Sequence, residues 1–461
     1  MGNPVPGTHS REGDAGHNGL LKGKMEDTPR SQPISTQLQQ IAEQARRHPE
    51  YTFGTLAHLM DVEWLREAYH RTRKDSAPGI DEVTARDYAA HLDENLQALH
   101  RRLADGKYRA TPVKRVWLEK EDGRLRPIGI PAFEDKIVQR AVVMLMSAVY
   151  EEDFHDFSYG FREGHSPHQA LHALREWCME NHVGWIVDAD ITGFFDNLPH
   201  RELEEIIQHR ITDGTLLRLI GKWLKAGVQE GANLSYPEKG TPQGGVISPL
   251  LANIFLHHVL DGWFEREVKP RMKGRVYLIR FADDFVIACE LANDARRLMP
   301  VLTKRFGRFG LQLHPTKTQL IAFQKPSSQD EGGTGKHTFD FLGFTHYWTK
   351  SRRGYWVIKR QTARKRLRRT LTAIWEWCRS HRHLPLAEQY RRLCLKLQGH
   401  YQYYGIRGNS RMLEKVYWYG VKAWRYWLSR RSQKSAITWK RFEHLRELFP
   451  LPKPKIVHAE I

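Results

Sequence analysis

Arg275-Val276-Tyr277-Leu278-Ile279-Arg280-Phe281-Ala282-Asp283-Asp284-Phe285-Val286-Ile287-Ala288-Cys289 is the stretch on which the reading of this chain turns. Two apolar runs flank a short turn that carries adjacent carboxylates, which predicts strand, turn and strand. Asp-Asp at a hairpin tip is ordinary turn chemistry. The flanks are less ordinary, because Leu278, Ile279, Val286 and Ile287 ask for a buried sheet rather than a solvated loop. A third acidic strand end stands upstream in Trp185-Ile186-Val187-Asp188-Ala189-Asp190. If the strands are neighbours, Asp190, Asp283 and Asp284 converge. Oxygen ligands of that kind suit Mg²⁺, and two such ions about 3.5–4 Å apart clamp an in-line phosphoryl transfer. Spacing alone is compatible with both a turn and a metal site.

Charge adds a partner. The 461 residues carry 72 Lys and Arg against 53 Asp and Glu, a formal net of +19. The excess sits at one end: from Thr345 onward there are 28 basic and 6 acidic residues, whereas the preceding 344 residues are close to neutral. A near-neutral body with a basic tail section points to a polyanion, nucleic acid before membrane. The start has no apolar run of signal-peptide type, and no stretch of about 18 uncharged apolar residues suggests a membrane helix. Four cysteines (178, 289, 378 and 394) stand far apart, without zinc or disulfide spacing, and a reducing cytosol is the plain expectation. His257-His258 and His381/His383 lack companion ligands at metal-site spacing.

Outward from the hairpin, the pattern divides the chain. Residues 1–35 are rich in Gly, Pro, Ser, Asn and His and read as a disordered lead-in. Residues 36–115 show helical spacing, with a helix after Asp61 and another over Asp87–Leu103. A basic hairpin is predicted at Val113–Ile128 and a helix at Asp135–Tyr150, followed by helices near 200–226, Pro249–Glu267 and 293–309. Strands are predicted near 311–322 and 338–346, and after Gly354 nearly everything reads as helix, over Thr362–Arg379, Leu386–Tyr404 and Met412–Ser429.

The residues at these places resemble a known family, the reverse transcriptases encoded by group II introns. Arg280-Phe281-Ala282-Asp283-Asp284-Phe285 is similar to their metal-binding turn, and Asp190-Ile191-Thr192-Gly193-Phe194-Phe195-Asp196 to their first carboxylate motif. Gly240-Thr241-Pro242-Gln243-Gly244-Gly245-Val246-Ile247-Ser248-Pro249-Leu250-Leu251-Ala252-Asn253-Ile254 resembles their Pro-Gln-Gly segment. Arg126-Pro127-Ile128-Gly129-Ile130-Pro131, Tyr159-Gly160-Phe161-Arg162, Leu313-His314-Pro315-Thr316-Lys317-Thr318 and Phe341-Leu342-Gly343-Phe344 continue the likeness in order, over roughly residues 77–345. Phe281 departs from the family's usual Tyr.

The resemblance implies an α+β fold: a right-hand polymerase, fingers and palm with an antiparallel palm sheet, followed by an all-helical thumb/maturase domain. It divides the chain into a helical fingers region at 36–115, a fingers/palm core at 116–345, a thumb/maturase domain at 346–430 and a basic C-terminal segment at 431–461. It also implies roles. Asp190, Asp283 and Asp284 would hold two Mg²⁺ ions, with the Ile191 carbonyl as a further ligand. Lys120 and Arg126 would meet the incoming triphosphate. Phe195 would close the pocket against a ribose 2′-hydroxyl, Gln243 and Gly244 would line it, and Lys317 would protonate the pyrophosphate leaving group. The implied partners are an intron RNA, an RNA template with DNA primer, deoxynucleoside triphosphates and target DNA, in a bacterial cytosol or nucleoid and without a membrane.

The basic section supplies the RNA-binding candidates. Arg364-Lys365-Arg366-Leu367-Arg368-Arg369 surrounds a helix with cations, while Leu367, Leu371, Ile374, Trp375 and Cys378 mark one apolar face. Such a helix can pack and still present Arg364, Lys365, Arg366, Arg368 and Arg369 to structured RNA. No paired Cys or His-Asn-His constellation follows, so no DNA endonuclease domain is expected. Two alternatives remain: an RNA-binding maturase with a silent polymerase, and a retron-like or domesticated reverse transcriptase. Intact carboxylates argue against the first, and Gly245–Pro249 against the second.

Overall fold

The structure, a computed structural model, describes residues 33–119, 125–236, 238–241, 244–326, 337–432 and 436–459. Lys120, the turn predicted at 121–123, Gln243 and most of the lead-in (residues 1–32) fall outside them.

Burial organises the chain around one helix. Phe133–Tyr150 is buried on nearly every side, Asp135, Lys136 and Gln139 included, the signature of an element enclosed by others. The amphipathic helices Ile34–Arg47 and Val62–Arg71 pack against it. Trp64, fully buried on the second of these, donates its indole N–H to the Ala141 carbonyl at 3.1 Å, so its polar edge is satisfied inside the core. Asp61 caps the same helix by accepting from the Trp64 backbone N–H, as its place before the apolar run predicts.

Three small sheets complete the architecture. The central one is antiparallel throughout, in the order Val276–Phe281, Asp284–Cys289, Trp185–Ala189, Gln319–Ala322. Its inner strands are almost wholly buried, and Ala292–Arg308 and Pro167–Glu180 pack on it. A mixed sheet runs Leu125–Ile130, Val113–Glu119, Val228–Glu230, Asn233–Ser235, with the middle pair parallel. The third joins Phe339–Phe341, Phe344–Lys350 and Trp356–Thr362. Beyond it lie the long helices Arg364–Ser380, Leu386–Tyr404 and Ser410–Leu428, with Trp439–Leu448 after them, around a second apolar core that includes Leu397, Val421, Trp424 and Phe442. The chain is thus a mixed α/β body followed by long helices. Among the described residues no helix is long and apolar enough to cross a membrane.

Several expected elements differ. The helix predicted over Asp87–Leu103 is two, Ala85–Ala89 and Leu92–Ala104, because Thr84 and Asp87 form a capping box that starts a short turn of its own. Pro249–Glu267 is regular only over Ser248–Leu256, and then widens into π-helical turns at His257–Asp261 and Phe264–Val268. Strand near 311–322 shrinks to Gln319–Ala322, since His314–Lys317 turns. The nearly all-helical reading after Gly354 fails at Trp356–Thr362, a strand burying Ile358, Arg360 and Thr362 in alternation, while the helices expected over Thr362–Arg379, Leu386–Tyr404 and Met412–Ser429 run Arg364–Ser380, Leu386–Tyr404 and Ser410–Leu428.

Candidate active site

The central sheet places the three carboxylates. Ala189 pairs with Phe285 and Phe281 with Asp284, so the chain ends carrying Asp190 and Asp283-Asp284 leave the sheet side by side. Their mutual effect is electrostatic. Desolvation by the surrounding protein and the charges of the neighbouring Asp283 and Asp190 push the Asp284 carboxyl up to about 7, although the residue is exposed at the sheet edge. Asp283 is raised by burial, with Arg126 opposing the shift and Asp190 adding to it. A fourth carboxylate, Asp188, lies one alternation behind Asp190 and is raised to about 7 by burial, then by Asp284 and Asp190. So much like charge in one place is a site short of cations.

One cation is supplied by the chain. Lys317 Nζ lies 2.7 Å from Asp190 Oδ2, across from the turn where His314 N–H donates to the Asp190 carbonyl at 2.7 Å. Ile191 is buried and bridges Leu313, while Thr192 N–H donates to the Gln312 carbonyl at 2.8 Å. Among the described residues no three His, Cys, Asp or Glu side chains are drawn into a cage around a metal position. The donor chemistry nonetheless fits a hard divalent ion, since it is carboxylate oxygen in excess of local positive charge.

A cleft of about 170 Å³ opens between the mixed sheet and the Phe194–Asn197 turn, bounded by Pro127, Gly129, Phe195, Asp196, Gly240 and Thr241. Phe195 lines it, whereas Phe194 sits edge-on to Phe195 at 5.4 Å and near Phe255 at 6.3 Å, within the core. Gly244 adopts φ +120°, and a Cβ there would stand 2.6 Å from the Gly129 carbonyl oxygen, so only glycine lets this loop lie on the strand that carries Arg126. Gln139 holds the far end of the loop by accepting from Val246 N–H at 2.8 Å. Arg126 is exposed on that strand, and its charge is felt at both Asp283 and Asp284.

The basic helix points its cations outward. Arg364, Lys365, Arg366, Arg368 and Arg369 are exposed around the buried Leu367. Arg366 also reaches the Tyr403–Tyr404 corner, which ends Leu386–Tyr404. There the Tyr403 hydroxyl donates to the Leu342 carbonyl at 2.9 Å, and Phe344 stacks on Tyr403 at 5.8 Å. The helices therefore touch the Phe341–Phe344 turn. Tyr403 lies close enough for Asp284 to contribute to the upward shift of its hydroxyl, whose main causes are burial and Tyr404.

Motif reading assigns no role to two further side chains. Asp261 is fully buried and binds Arg280 through both oxygens, at 2.8 and 2.5 Å. Asn253 accepts from Arg280 at 2.8 Å and donates to the Gly160 carbonyl at 2.7 Å. Asp261 offers no local signal, because it ends the π-helical turn at 257–261, which has no sequence periodicity of its own, and Asn253 lies in the Pro-Gln-Gly segment with nothing local to mark its partner.

Known proteins share this arrangement of segments. The family described as reverse transcriptase (RNA-dependent DNA polymerase) matches residues 118–346. Protein YkfC of Escherichia coli (strain K12) is 35% identical over 286 residues, which cover 55% of this chain and 75% of YkfC. The group II intron-encoded protein LtrA of Lactococcus lactis subsp. cremoris is 36% identical over 252 residues, 52% of this chain but only 41% of LtrA. A putative COX1/OXI3 intron 2 protein of Saccharomyces cerevisiae (strain ATCC 204508 / S288c) is 29% identical over 211 residues, 44% of this chain and 24% of that protein. Motif order, the sheet that carries the carboxylates and these likenesses agree: the chain belongs to the group II intron-encoded reverse transcriptase/maturase family, and its shared domain is that of an RNA-directed DNA polymerase.

Proposed function

We propose that the chain copies RNA into DNA with two Mg²⁺ ions held at Asp190, Asp283 and Asp284, the Ile191 carbonyl assisting, and that it also grips an intron RNA to assist splicing and mobility. The register Ala189–Phe285, which brings three acidic chain ends to one sheet edge, is the observation that carries this reading. The mixed sheet and helices at 36–115 act as fingers, the central sheet as palm, and the helices after Arg364 as thumb and maturase surface.

Bound metal would offset phosphate charge and activate the primer 3′-hydroxyl. The chain's own groups do the rest. Arg126 engages the deoxynucleoside triphosphate, a role the family resemblance extends to Lys120 and Gln243, and an Arg fork suits phosphate oxygens. Gly244 keeps the pocket's backbone close, and Phe195 fills the space a 2′-hydroxyl would need. Lys317 holds Asp190 until substrate arrives and then supplies a proton to pyrophosphate. Target DNA would be a further partner, in a bacterial cytosol or nucleoid.

Primer extension on RNA and DNA templates tests the reading. Incorporation should require template, primer and Mg²⁺, and stop when the metal is chelated. Tight RNA binding with no incorporation under any template would leave the silent-maturase alternative instead. Replacing Arg366, Arg368 and Arg369 together by Ala should weaken RNA binding and flatten its salt dependence. The slope of log K against log salt should fall by about 2–3 for three lost phosphate contacts. An unchanged slope would place the RNA elsewhere.

A further inference from the structure

We infer that Arg280 is a positioning residue for the Asp283-Asp284 turn, acting through Asp261, Asn253 and Gly160. The inference deepens the proposed function, since it rests on the turn aspartates being the metal ligands.

The turn needs holding. Ala282 adopts φ +58°, a left-handed conformation that L residues other than Asn and Asp rarely take, and it carries two like-charged side chains directly after it. Arg280, fully buried two residues earlier, donates one N–H to the Ala282 carbonyl at 3.1 Å. Its other donors go to Asp261 Oδ1 and Oδ2 and to Asn253 Oδ1. Asn253 passes the constraint on by donating to the Gly160 carbonyl. Gly160 in turn lies flat against the turn: a Cβ there would stand 2.1 Å from the Ala282 nitrogen. Flanking backbone closes the clamp, with Arg280 N–H donating to the Phe157 carbonyl and Tyr159 N–H to the Arg280 carbonyl, both at 2.9 Å.

Charge explains why Arg rather than another donor stands here. Asp261 is wholly buried, and the imidazole near it, His257, is held neutral by burial, its pKa lowered to about 3. Arg280 is therefore the cation that Asp261 faces. A planar guanidinium can engage both carboxylate oxygens and still reach two further acceptors, which an ammonium on a flexible stem cannot do. The pair thus serves as a fixed post from which the left-handed turn is hung.

Full-length Arg280→Lys and Gly160→Ala test this in primer extension at saturating template and primer. Lys keeps a charge opposite Asp261 but loses the fork, while Ala at 160 leaves every charge in place and presses on the turn. Both variants should lose about 10²-fold in kcat. The KM for deoxynucleotide should stay within about twofold, because the binding cleft is untouched. The Mg²⁺ concentration for half-maximal rate should rise about tenfold, the signature of displaced ligands. A purely architectural role would lower the melting temperature and leave the folded enzyme's kcat and Mg²⁺ dependence at parent values. That result in both variants, with folding confirmed by circular dichroism, overturns the inference. Asp283→Ala run alongside separates the two levels. If it is inactive while both variants are fully active, only the positioning claim falls, and if it extends primers at the parent rate, the metal reading falls with it.

Discussion

Asp283→Ala is expected to lower primer extension by at least about 10³-fold while the protein folds as well as before. The large loss follows from where the carboxylate sits. It leaves the central sheet beside Asp190 and Asp284, and the nearby Asp188 lies within the strand behind Asp190 rather than on the turn. The retained fold follows from what the side chain costs. Burial holds the Asp283 carboxyl above its usual range, with the charge of Asp190 adding to the shift, so its ionised form opposes folding. Removing it relieves that desolvation and repulsion, which outweigh the backbone hydrogen bond and the attraction to Arg126 that are lost with it. The melting temperature in Mg²⁺-free buffer should be unchanged or raised by about 1–2 °C. Scanning fluorimetry and single-nucleotide extension measure the two halves separately. Extension at the parent rate would rule out a metal role for this side chain, and a collapse of the fold would mean that it serves the structure first.

That division between chemistry and architecture also sets what the sequence discloses. Leu278, Ile279, Val286 and Ile287 announce a buried sheet around the aspartates, and all four are fully buried. The choice between Phe194 and Phe195 was not legible in the same way, because both are large, apolar and adjacent. Only the third dimension separates them, with Phe194 near Phe255 and Phe195 on the cleft. Trp356–Thr362 was hidden for another reason. Arg360 occupies an inward position, 2% exposed, where a binary pattern expects an apolar residue, and Lys359 faces the other way. The Arg280–Asp261 pair is the extreme case. Its partners come from a strand and a π-helical turn, and hydrogen bonding of that kind has no period to read. Local pattern thus reports burial faithfully and says little about which polar groups meet inside it.

Phe195→Val should make the enzyme accept ribonucleotides, lowering its discrimination in favour of deoxynucleotides by about 10²-fold. The backbone under this ring is fixed independently of the ring itself. Thr241 N–H donates to the Phe195 carbonyl at 2.8 Å, and Gly240, at φ +89°, lies so close that a Cβ would stand 2.9 Å from the same oxygen. Truncating the side chain therefore enlarges the cleft without moving its floor. Deoxynucleotide incorporation should fall by less than about tenfold, since a smaller pocket wall removes little that binds the deoxyribose. Stability should drop by about 1–3 kcal/mol, because the ring is 8% exposed and packs edge-on against Phe194. Competition between ribo- and deoxynucleotides on one RNA template gives the ratio directly. The companion variant Phe194→Val should destabilise the core near Phe255 and leave that ratio alone. If the ratio moves with residue 194 and not with 195, the ring that faces the sugar is the other one, and the cleft beside Gly240 is not where the nucleotide lies.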